Sequence, residues 1–113
     1  MNGLFNINPS LGGYEPAKTR AFGSILDAYS AIGACTHPVR KLIINNFTDA
    51  HVWISFDGTE NHIAIPMGGH YVCDDAANGI TLPANTIFYV KRFVAGVAPT
   101  SGSIVVSVTY IGR

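Results

Sequence analysis

LIINNFTDAHVWISFDG, residues 42–58, decides how the chain is read. The apolar run Leu42-Ile43-Ile44 enters a polar stretch from Asn45 to Ala50 and returns as an alternating run ending at Asp57-Gly58. Two strand-forming runs around a short polar loop predict two paired antiparallel strands. In the second run Val52, Ile54 and Phe56 fall on one face, and Trp53 and Ser55 on the other. The stretch reads as the middle of a small β-sandwich. Trp53, the one tryptophan, is left on the face away from its apolar neighbours, where the N-terminal segment or another subunit would cover it.

Downstream, strands continue. His62–Ile65 alternates and is stopped by Pro66 and Gly68-Gly69, and Tyr71–Cys73 is ended by Asp74-Asp75. Asn78-Gly79 is a turn dipeptide, and Ile80–Leu82 is broken by Pro83. Ile87–Phe93 is a strong strand, and Gly96–Gly102 a turn-rich connection. The chain closes on SIVVSVTYI, residues 103–111. Apolar residues on both its faces argue for a central strand, or one covered outside by a partner. Turn signals every 8–12 residues, with no βαβ unit, predict an all-β, antiparallel sandwich, jelly-roll-like or a partial barrel.

Upstream the pattern changes. Residues 21–34, AFGSILDAYSAIGA, fit an irregular or extended segment with at most a short helix. Residues 1–20 hold Gly3, Pro9, Gly12, Gly13 and Pro16 and cannot build a core of their own. Yet Leu4, Phe5, Ile7, Leu11 and Tyr14 are more apolar than a solvated tail requires. The expected organisation is an extended N-terminal arm, 1–20, and a β-sandwich domain, 21–113. The arm residues and Trp53 are the candidate interaction residues; a disordered tail is the alternative for the arm.

Composition narrows the function. With 113 residues the chain is one domain. Charged residues are 12%, about half the usual share, and seven basic residues balance seven acidic ones. Such a surface is a poor match for nucleic acid, which needs clustered Lys and Arg. Low net charge also leaves little repulsion between copies, as suits life inside an assembly. No apolar run approaches a membrane span, and MNGLFNINPSLGG lacks the regions of a signal peptide, so no membrane partner and a cytoplasmic origin are expected. Cys35 and Cys73 fit neither a zinc ribbon nor a CxxC motif and are expected to be buried free thiols.

Motifs for chemistry are weak. Asp57–Asn61 offers oxygen ligands without the spacing of a calcium loop, and Asp-Gly is turn chemistry in its own right. Asp74 and Asp75 would point to opposite faces. His37, His51, His62 and His70 form no HExxH, and His70 with Cys73 lacks two further ligands. Neither GxSxG nor a phosphate-cradling loop occurs. Arg40-Lys41 and Lys91-Arg92 would address one acidic partner only if their strands lay side by side; otherwise each snorkels at the edge of an apolar face. No catalytic, cofactor or metal set is expected. Trp53, Tyr71 or Tyr89 as a stacking platform would instead suit a carbohydrate-binding module.

Taken in order, AFGSILDAYSAIGA (21–34), VRKLIINNFTDAHVWISFDGTENHIAIPMG (39–68), FYVKR (88–92) and APTSGSIVVSVTYIG (98–112) resemble a known group. It consists of small virion-associated proteins of tailed bacteriophages, the short-tailed ones especially. Their pattern joins an N-x-T-D turn, a strand ending in ISFDG, a YVK strand and a final TSG strand. The resemblance implies a non-enzymatic structural role: capsid decoration, a head fibre, or a fibre or adaptor at the head–tail junction. Its expected partners are capsid, portal or tail proteins and copies of itself, and its expected location is the virion, assembled in the host bacterial cytoplasm. The pattern marks strands and turns and implies no site residues.

Overall fold

A computed structural model of the chain describes residues 13–74 and 82–110. They form nine strands in two antiparallel sheets, with a single 3-10 turn at Phe22–Ser24. The first sheet contains β1 (Gly13–Tyr14), β2 (Lys18–Ala21), β4 (Val39–Asn46), β7 (His70–Asp74) and β9 (Ser103–Tyr110). Here β1 and β2 pair in succession along β9, and β4 lies between β9 and β7. The second sheet runs β3 (Ser30–Ala34), β8 (Ile87–Arg92), β5 (Val52–Ser55), β6 (Ile63–Ile65). The all-β expectation holds. So does the central place of the last strand, whose Ile104, Val106 and Val108 are buried while Val105, Ser107 and Thr109 face outward. The turn at Asn78-Gly79 and the strand before Leu82 lie outside the described residues.

The predicted pairing within residues 42–58 is corrected. β4 pairs with β7 and β9, whereas β5 pairs with β6 and β8, so the chain leaves one sheet at Asn46 and enters the other at Val52. Strand–loop–strand looks alike in sequence whether it makes a hairpin or an arch between sheets. What selects the arch is Asn46, which is fully buried. Its Nδ2 donates to the carbonyls of Ala50 (2.9 Å), Ile65 (3.1 Å) and Pro66 (3.2 Å). Its Oδ1 accepts from the Thr48 N–H (3.0 Å) and the Thr48 hydroxyl (2.6 Å). A buried turn needs every polar group paired, and this side chain, on β4 of the first sheet, supplies partners to the arch and to β6 of the second.

The arch is locked to the start of β9. The Phe47 N–H donates to the Ser103 carbonyl at 3.0 Å, and the Asp49 carboxylate accepts from both the N–H and the hydroxyl of Thr100. Gly102 sits at φ 85°, with the Phe47 carbonyl oxygen 2.0 Å from where a Cβ would stand. Only glycine suits that close approach. The NFTD and PTSG segments, 50 residues apart in sequence, are thus two halves of one joint.

Between the sheets lies one buried cluster, to which Leu42, Ile44, Val106 and Val108 contribute from the first and Val52, Ile54, Ile65, Phe88 and Val90 from the second. Cys35 and Cys73 are buried in it as free thiols. The cluster is closed at one side by β2. Its Lys18 stem packs on Gly33 of β3, and Arg20 donates to the carbonyls of Ser24 and Ala31. The described part of the expected arm, Gly13–Arg20, is therefore hydrogen-bonded along β9 of its own chain.

Candidate functional site

Because successive strands from β2 onward run in opposite directions, their connections alternate between two ends of the body. The end holding the β3–β4 and β5–β6 connections is polar and heavily hydrogen-bonded. Glu15, just beyond β1, is buried and reaches the β3–β4 connection. Its carboxylate accepts from the N–H groups of Thr36 (3.0 Å) and His37 (2.9 Å), from His37 Nδ1 (2.9 Å) and from Lys18 Nζ (3.0 Å). Burial acts to raise this carboxyl, but the bonds from His37, Lys18 and Thr36 outweigh it and hold the group down to about 2. The His37 ring stacks on Tyr110 at 3.7 Å. Nothing in the sequence around Glu15 marked it, since apart from Lys18 its partners come from Thr36 and His37, 21 and 22 residues away.

At the same end, Asp57 organises the β5–β6 turn. Its Oδ1 accepts from the Thr59 N–H (2.8 Å), the Glu60 N–H (2.9 Å) and the buried Ser55 hydroxyl (2.9 Å). The Glu60 and Thr59 N–H bonds lead in drawing its carboxyl down to about 2. Gly58 holds φ 78°, and the Tyr89 ring lies against it. The Asp57-Gly58 pair performs turn chemistry, and among the described residues no group of three or more His, Cys, Asp or Glu is placed to hold a metal. The His62 Nδ1 accepts from the Phe56 N–H at 3.0 Å.

The opposite end differs in kind. Ten large hydrophobic side chains among the described residues are exposed, and seven sit on the four connections gathered there. Phe22 and Leu26 come from β2–β3, Phe47 from the arch, Met67 from β6–β7, and Phe93, Val94 and Val97 from β8–β9. Phe47 is the most exposed of them, at 61%. These loops are tied to one another: the Phe22 N–H donates to Gly102, the Arg92 N–H to Leu26, the Phe93 N–H to His51, and the Met67 N–H to His51 Nδ1. Asp27 accepts from the Gly96 N–H (2.9 Å) and from Arg92 (3.1 Å). The other three exposed hydrophobics, Tyr14, Val72 and Ile87, lie on strands.

An open hollow of about 300 Å³ joins this end to the outer face of the second sheet, lined by His51, Ala64, Ile65, Pro66 and Phe93. Phe93 forms its link to Trp53: the two rings stack at 5.0 Å with 20° between planes, and His51 meets Phe93 edge-on at 6.0 Å. Next along the same row, Lys91 pairs with Trp53 across the strands and holds its ammonium 4.8 Å over the Tyr29 ring. The Tyr29 hydroxyl donates to Asn61 at 2.6 Å; burial, reinforced by the Asp57 carboxylate, pushes that phenol up to about 12.

The residues singled out from sequence divide as follows. Leu4, Phe5, Ile7 and Leu11 lie outside the described residues. Tyr14 projects from the edge strand with 78% of its surface exposed. Trp53 is on the outer face of β5 as the alternation predicts, and Phe93 of the same chain stacks on it. Trp53 and Tyr89 share that face, but Tyr71 is on the other sheet and packs against the core, so the three do not form one platform. The basic doublets are on β4 and β8, in different sheets, and cannot meet one partner side by side. Arg92 instead serves the β2–β3 loop through Asp27 and the Ile25 carbonyl.

Sequence reasoning missed the apolar end because Phe47, Met67 and Val97 are single residues in separate loops. The available signal was the alternation of connections: every second loop of an up-and-down order shares an end. The chain matches no family model, no curated protein and no solved structure.

Proposed function

We propose that the chain is a non-enzymatic structural protein of a bacteriophage particle, present in several copies that contact one another as well as other virion proteins. In this reading the two sheets are the layers of a sandwich, and the expected N-terminal arm, 1–20, takes part in docking. The observation that carries it is the apolar end: four loops cross-tied by hydrogen bonds present hydrophobic side chains that a solvated surface has no use for. The order of motifs shared with virion-associated proteins supports it as well. Their NFTD and PTSG elements form the joint that holds this end in shape.

The test is incorporation. A phage carrying the protein without residues 1–12, and a second carrying Phe47→Ser with Val97→Ser, are purified and their copy numbers measured against the capsid protein. Loss from the particle is expected in both. Normal copy number in both would refute docking through the arm and the apolar end.

The Trp53–Phe93 stack beside the hollow favours one second reading, a module that binds a neutral sugar. An aromatic platform next to a mostly apolar hollow with one imidazole suits the apolar face of a pyranose. A change in Trp53 emission on titration with sugars that is lost in Phe93→Ser would establish it; an unresponsive spectrum would remove it.

A further inference from the structure

We infer that the apolar end is the surface on which two copies of this chain meet, as a two-fold dimer. The inference rests on the multi-copy reading above and names the face involved. Its seven exposed side chains, each between 40% and 61% exposed, present on the order of 600 Å² if an aromatic ring counts about 200 Å² and an aliphatic side chain about 150 Å². That equals the largest patch a monomer ordinarily leaves in water, about 300–600 Å². Two such faces together bury about 1,200 Å², the lower bound of a standard stable interface.

Charge favours a second copy over a charged partner. A two-fold contact sets each patch against itself, so any unbalanced charge meets its own sign. Here Asp27 is engaged by Arg92 and the Gly96 N–H, and Asp49 by Thr100, within the chain. Asp27 is balanced by the Arg92 guanidinium, while Asp49 keeps its charge because Thr100 offers only neutral donors, so the two-fold axis passes away from Asp49.

Shape points the same way. The face carries a projection, Phe47 at the tip of the arch, and a hollow of about 300 Å³ walled by His51, Pro66 and Phe93. A two-fold axis lets each copy offer its projection to the other's hollow. The loops need no ordering on contact, because the arch is already fixed by Asn46 and by Thr100. Trp53, stacked on the wall of the hollow, becomes the natural reporter.

The experiment is sedimentation equilibrium of the full chain over a concentration series, with Trp53 emission recorded in parallel. A monomer–dimer equilibrium is expected, and emission moves to shorter wavelength as the dimer forms. Phe47→Ser with Val97→Ser shifts that equilibrium at least tenfold toward monomer. Unfolding curves of this variant guard against misfolding, and Val72→Ser, on a strand away from this end, leaves the equilibrium unchanged. A wild-type chain that stays monomeric up to about 100 μM overturns the inference. So does an oligomer that Phe47→Ser with Val97→Ser leaves intact, or binding to phosphatidylcholine vesicles in place of self-association. Particle incorporation is measured separately, so a monomeric chain that still enters virions would refute the dimer and spare the structural role.

Discussion

The two ends of this molecule are built from the same kind of material, short loops between antiparallel strands, and they solve opposite problems. At the polar end, Glu15 and Asp57 gather backbone N–H groups, and among the described residues no exposed large hydrophobic lies on the β3–β4 or β5–β6 connection. At the other end, equally ordered loops hold Phe47, Met67 and Val97 out in water. Hydrogen bonding fixes loop shape at both. What differs is the side chain left over once the backbone is satisfied, which at this second end is apolar and exposed.

The largest effect is expected where the apolar end is anchored. Gly102→Ala would set a Cβ against the Phe47 carbonyl in a left-handed conformation, and should cost more than about 4 kcal/mol. Equilibrium unfolding in urea would show it, or the variant would fail to fold. A loss below about 1 kcal/mol would mean that the arch is not held by β9 as described.

Asn46→Leu comes next. It removes the donors to Ala50, Ile65 and Pro66 in a fully buried place, for a loss of about 3 kcal/mol. The same measurement checks it, and Thr48→Val, removing a single hydroxyl from that network, should lose less.

The polar end should reveal itself through pH. The folded Glu15 pKa of about 2 lies below its ordinary value of 4.5, so its contribution to stability is complete above about pH 5. It is lost as pH falls through 4.5 toward 2, because the unfolded chain takes up the proton first. The full effect is about 3 kcal/mol. Unfolding free energies between pH 6 and pH 2, compared with those of Glu15→Gln, measure it: the variant is weaker at neutral pH and has the flatter acid slope. Asp49→Asn, at the apolar end, alters a solvent-exposed carboxylate and should flatten the slope less. Equal slopes for wild type and Glu15→Gln would break the contrast between the ends.

Phe47→Ser should have the smallest effect on folding, within about 0.5 kcal/mol, because its ring is largely in water already. A thermal melt unchanged by the substitution, beside altered self-association, would show adhesion and stability residing in different residues of one loop.

The sequence by itself determined the strands. Alternation at Val52-Trp53-Ile54, at residues 87–92 and at residues 103–110 reports which side chains a pleated backbone can bury, and that depends on near neighbours alone. It also determined the turn at Asp57-Gly58 and the outward position of Trp53. Which strands pair was decided only in three dimensions. Residues 42–58 hold the same alternation whether β4 and β5 share a sheet or face one another across the core. The choice falls to Asn46, whose partners Ile65 and Pro66 are 19 and 20 residues away. Glu15 finds its partners 21 and 22 residues on, and the apolar end draws on four loops spread from Phe22 to Val97. Local pattern fixes what each segment is, while the packing of two sheets fixes what it stands beside. The surface proposed to carry function consists wholly of that second kind of information.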